Sequence, residues 1–159
     1  MSNIYYLTDH LTKKQDQGAL ANTLSYLRRL EIYWHAKRRE KMVPLRSEIL
    51  ASELHPILPY IFLVNYIPRN LMQFNFVGSV AKTYFEELGI CDRFMKHFCP
   101  DTRSKSTRKH SHAQPQKFNI QPNCISDHSD QCLRLGLFPL LDSKGKPTKA
   151  IGSIETLLT

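Results

Sequence analysis

Four cysteines and seven histidines are the residues of this chain with the most reactive chemistry to offer. The cysteines stand at Cys91, Cys99, Cys124 and Cys132, in two pairs with seven residues between partners. Neither interval is the short knuckle that a structural zinc site needs, so His97, His110 and His112 are not read as completing one, and no metal is expected. In a cytosolic protein the four thiols read as free. Cys124 and His128 could be drawn as nucleophile and base. A chain with seven histidines produces such neighbours by chance. Gly78-Ser79-Val80 lacks the setting of a nucleophile elbow. Ser143-Lys144-Gly145-Lys146 lacks the leading glycine and the trailing Ser/Thr of a phosphate loop. No catalytic residue is assigned, and no enzymatic activity is expected.

Charge offers a second kind of chemistry. The chain carries a net +8, and the excess is local. Arg28 to Lys41 holds six Lys/Arg against two Glu, and Thr102 to His112 holds four Lys/Arg and no acid. Together they account for the whole excess. The exposed candidates are Arg38, Arg39, Arg103, Lys105, Arg108 and Lys109. Such segments permit an anionic partner, nucleic acid included. A charge run is more often a solvated face, so nucleic acid is the alternative reading and not the favoured one.

These residues need elements to hold them. At 159 residues one domain is expected, with a core of its own. Apolar and charged fractions of 42% and 23% are those of a soluble protein. The longest apolar run, Ile57 to Val64, is broken by Pro59 and is far short of the ~20 residues that span a bilayer, so no membrane segment is expected. No signal peptide is visible, and a cytoplasmic location follows as an expectation.

Residues 1–16 read as a flexible N-terminal arm, with a single domain over 17–159. From Gln17 to about Lys41, Leu20, Leu24, Leu27, Leu30 and Trp34 recur at three- or four-residue spacing, which predicts a long flanking helix with one apolar stripe. Pro44 stops it. Ser47 to about Leu58 reads as a short broken helix. Strands are predicted at Tyr60–Tyr66 and Leu71–Val77 around a turn at Ile67-Pro68-Arg69-Asn70. A helix follows over Val80–Leu88, closed by Gly89, and another over Arg93–Phe98. After a polar stretch, strands are predicted at Lys117–Ile125, Cys132–Leu141 and Thr148–Leu157, the last two around a turn at residues 142–147. The expected class is α+β: a five-stranded antiparallel sheet, short helices gathered on one side, and the long N-terminal helix.

Trp34 within IYWHAKRREKMVPLRSEI, then ELHPILPYIFLVNY and FNFVGS, resembles the bacterial PAS-like domain family found mainly in alphaproteobacteria. Its members run from a helix ending in Tyr-Trp, through a basic stretch, Pro-x-Arg and a Leu-Pro-led strand, to an aromatic strand ending in Val-Gly-Thr. The hairpin LRLGLFPLLDSKGKPTKAIGSIE resembles the closing strands of PAS domains. The resemblance covers roughly residues 24–157. Asn75 stands where members usually carry Arg.

What the resemblance implies is a stand-alone PAS-like sensory or regulatory module that binds a small molecule or a protein and has no cofactor. The implied pocket residues are Phe62, Val64, Phe74, Phe76, Tyr84, Phe85, Phe94, Phe98 and Phe138. The plainer reading, favoured for most of them individually, is that these aromatics fill a core. Neither haem on His97 nor a flavin adduct on Cys91 or Cys99 is expected. The resemblance also implies a homodimer or protein partner along Leu20, Leu24, Leu27 and Trp34. The other reading is that this stripe packs on the chain's own sheet.

Overall fold

The computed structural model describes residues 24–40, 42–68, 71–89, 94–96, 113–120 and 132–157. Its centre is a six-stranded, all-antiparallel sheet in which Phe94–Lys96, Leu71–Val77, Ile61–Ile67, Lys149–Leu157, Cys132–Leu140 and Gln116–Ile120 lie side by side in that order. The strands are β1 (Ile61–Ile67), β2 (Leu71–Val77), β3 (Phe94–Lys96), β4 (Gln116–Ile120), β5 (Cys132–Leu140) and β6 (Lys149–Leu157). Two meanders, β1-β2-β3 and β4-β5-β6, join edge to edge where β1 pairs with β6. The five expected strands are present, and β3 is a sixth. It lies in the segment read as the helix Arg93–Phe98. Of the strand read over Lys117–Ile125, residues 117–120 are described, and they are paired.

Strand residues alternate between two buried faces. On β1, Phe62 and Val64 enter one core while Ile61 and Leu63 meet the other. On β5, Leu133, Leu135 and Leu137 face the first core, and Phe138 and Leu140 the second. Helices therefore cover both faces, not one as the sequence suggested. α3 (Ser79–Glu87) packs Ala81 and Phe85 on the first face. α1 (Tyr26–Lys37) crosses β5 and β6 on the second.

α1 begins later than the periodicity suggested. The hydroxyl of Ser25 accepts from the Arg28 amide at 3.2 Å and caps the helix at Tyr26. Leu24 thus precedes the helix, and Leu20 lies outside the described residues. The Leu27 amide donates to Glu155 at 3.3 Å, which sets a carboxylate at the positive end of the helix. Leu27, Leu30 and Trp34, at three- and four-residue spacing, are buried. Burial of each is worth about 1.5–3 kcal/mol. The basic last turn suits the negative end of the dipole, and Glu40 (φ 49°) turns the chain away.

The connector from Val43 to Ile49 is tied to the end of β5: Leu141 donates to the Pro44 carbonyl, and Arg46 donates back to Leu141. In place of one broken helix the chain makes a 3-10 turn at Arg46–Glu48, a short α2 (Ala51–Leu54) and a 3-10 stretch at His55–Tyr60. Pro56 and Pro59 remove the amides a longer α-helix would need. Gly78 caps α3 against this stretch. Its amide donates to Ile61, and a Cβ there would overlap the carbonyls of Leu58 and Pro59. No helix among the described residues is long and apolar enough to cross a membrane.

Candidate functional site

The first face gathers aromatic side chains from three elements. Phe62 comes from β1, Phe74 from β2 and Phe85 from α3. Their ring centroids form a triangle: 5.9 Å from Phe62 to Phe74, 5.0 Å from Phe62 to Phe85 and 5.0 Å from Phe74 to Phe85. The Phe62–Phe74 and Phe62–Phe85 contacts are edge-on, the geometry that ring quadrupoles favour. Val64 is buried beside them, and Tyr84 is half-buried against the same cluster. Leu135, Leu137, Ala150 and Ile154 form the floor.

Two members of this site were missed in the sequence. Gly152 opposes Phe62 across β1 and β6, and a Cβ there would overlap the Phe62 ring, so the absent side chain is what seats it. Tyr66 shares the face of Phe62 and Val64, and burial pushes its phenol up to about 12. It therefore stays a neutral hydroxyl at any physiological pH. The even spacing Phe62-Val64-Tyr66 would have found it.

Other expected pocket residues are placed elsewhere. Phe138 lies on the opposite face, 5.8 Å from the Trp34 ring. A bulge explains Phe76. Leu63 opposes Phe76 while the next residue, Val64, opposes Phe74, so Asn75 is an extra residue in β2. The slip turns Phe76 to the face of Leu63, where it is 37% exposed, and sends Val77 inward. Phe94 is in β3 with its backbone opposite Gln73. Phe98 lies outside the described residues, as do His97, Cys91, Cys99, Cys124 and His128.

On the second face, Leu27 and Trp34 are buried against the chain's own sheet. The Trp34 indole donates to the Pro139 carbonyl at 2.8 Å. Several of the described basic residues have partners around them. Arg28 and Lys117 flank Glu31 at 2.7 and 2.9 Å. Burial raises the Glu31 carboxyl, but the bonds from Lys117 and Arg28 outweigh it and hold the group below its ordinary value. Lys37 meets Glu53 at 2.6 Å, and the Tyr33 hydroxyl donates to the same carboxylate. Those two bonds, that of Lys37 first, hold Glu53 low. Arg38 stacks over Trp34 at 5.1 Å, and Arg39 stands 4.0 Å from Glu48. Arg103, Lys105, Arg108 and Lys109 lie outside the described residues. A surface groove of about 350 Å³, lined by Ala36, Lys37, Arg39, Ser47, Glu48 and Leu50, runs beside this end of α1.

The first face is an apolar, aromatic-lined layer between the sheet and α3. Among the described residues no group of three His, Cys, Asp or Glu could hold a metal ion. A family model described as "PAS domain" matches residues 23–155. The chain belongs to the PAS domain family. No curated protein and no solved structure matches it. Membership suggests a sensory or regulatory module, and the antiparallel sheet with short helices fits a PAS-like α+β fold.

Proposed function

We propose that this PAS domain is a regulatory module that holds a small, largely apolar ligand against the first face of its sheet and acts through a protein partner, with no catalysis of its own. The observation that carries this reading is the convergence of Phe62, Phe74 and Phe85 from β1, β2 and α3 on one face. Side chains delivered by three separate elements can respond to an occupant by moving those elements. The neutral hydroxyl of Tyr66 adds a polar group to an otherwise apolar wall, the mixture typical of small-molecule sites.

Native mass spectrometry of the full chain tests this. The expected result is a mass excess matching one bound organic molecule, lost on Phe85→Ala while the far-ultraviolet circular dichroism is retained. No mass excess, together with no thermal shift from any member of an apolar compound library, would refute the reading.

A further inference from the structure

Two glycines occupy adjacent strands at successive registers. Gly136 on β5 opposes Ser153, and Gly152 on β6 opposes Leu137. They face opposite ways. A Cβ on Gly152 would overlap the Phe62 ring on the first face, and it would lie 2.7 Å from the Gly136 carbonyl oxygen. A Cβ on Gly136 would overlap the end of Leu27 on the second face, with the Phe138 ring 3.4 Å away. So the aromatic ring of the candidate site and the first buried side chain of α1 each rest on bare backbone. The two peptide stretches they rest on also touch one another. Where a side chain stands on each strand, its flexibility absorbs small displacements. Here no side chain intervenes on either side, and close-packed interiors transmit strain.

We infer that this pair of glycines is a mechanical seam through the sheet: the seating of the Phe62 ring over Gly152 sets how closely α1 docks through Leu27 on Gly136. Displacement of the ring relaxes the β5–β6 backbone, and α1 loosens from its Leu27 end, against the hold of Glu155, the Ser25 cap, buried Leu30, the Tyr26–Tyr60 stack and the Glu31–Lys117 pair. The chain's single Trp lies on α1 and reports that loosening directly. The inference rests on the proposed function only for what would move the ring in the cell. The test uses no ligand, so its failure and the failure of that reading are separable.

Hydrogen exchange of the full-length chain is compared for the unaltered protein, Phe62→Leu and Phe118→Leu. Phe118 packs on the same face but from β4, opposite Leu135, and it is not among the atoms that a Cβ on either glycine would meet first. Phe62→Leu is expected to speed exchange of the α1 amides from Leu30 to Lys37 about tenfold relative to β5, a sub-global opening, with Trp34 emission moved to longer wavelength. Phe118→Leu is expected to leave both unchanged. Gly136→Ala should loosen α1 in the same way and, because coupling is reciprocal, shift the ring resonances of Phe62. If Gly136→Ala does not fold, Phe62→Leu still decides. The inference is overturned if α1 exchanges no faster in Phe62→Leu than in Phe118→Leu, or if α1 and β5 accelerate in step.

Discussion

Trp34 does three things with one side chain. Its ring fills the second core against Phe138, its Nε1 donates to the Pro139 carbonyl, and its outer face carries the Arg38 guanidinium. The carbonyl is the part that cannot be replaced cheaply, since Pro139 sits in a buried strand. Trp34→Phe keeps much of the apolar bulk and strands that acceptor. An expected loss of about 1–3 kcal/mol follows from leaving a buried polar group without its partner. Urea unfolding followed by circular dichroism checks it, and a midpoint equal to the parent's would show the bond contributes nothing. Trp34 was legible as a buried residue from its place on the apolar stripe. Its partner was not, because 105 residues separate donor and acceptor. The glycines were also illegible. A glycine inside a strand signals a close approach, but nothing local says what approaches.

At the scale of elements, aromatic and β-branched composition, alternation and the intervening turn signals were enough for β1, β2, β5 and β6. The covering of both faces was also readable in principle. β5 is apolar on both faces at its end, with Leu137 followed by Phe138 and Leu140, and a strand apolar on both faces is covered on both. Two errors have a common cause. β3 and the bulge at Asn75 are defined by a neighbour: three residues become a strand by pairing with β2, and an extra residue exists only relative to β1. Strand state follows such contacts more than intrinsic preference. α1 differs, because its start is set locally. Ser25→Ala is expected to cost about 0.5–2 kcal/mol, read as a lower urea midpoint with an unchanged slope. The Glu155 carboxylate still holds the Leu27 amide in that variant, so α1 should remain docked.

For the whole molecule, three carboxylates titrate low, two of them linking separate elements and the third closing a turn. Glu31 ties α1 to β4 through Lys117, and Glu53 ties α2 to α1 through Lys37 and Tyr33. Asp142 accepts from the Lys146 and Lys144 amides and the Thr148 hydroxyl in the β5–β6 turn. The Lys146 bond, then that of Thr148, holds Asp142 below its ordinary value. Each group has a lower pKa folded than unfolded, so the unfolded chain binds protons first as pH falls. Their contribution is present above the ordinary carboxyl range, near pH 4, and is lost below it. The melting temperature should fall from about pH 5 to about pH 3, and the triple variant Glu31→Gln, Glu53→Gln, Asp142→Asn should flatten that slope. An identical slope in the two proteins would assign the acid loss to other groups. The two ion pairs and the Asp142 turn are close to solvent, so each contribution is small.

Gly78 has a further consequence. The helix that closes one face and the segment that feeds the other meet there with no room between them, since the carbonyls of Leu58 and Pro59 occupy the space of a β-carbon. Any side chain at 78 would prise the two layers of the molecule apart at their common corner. In a comprehensive substitution library, this position should reject alanine as firmly as tryptophan, a signature that distinguishes a steric pivot from an ordinary cap.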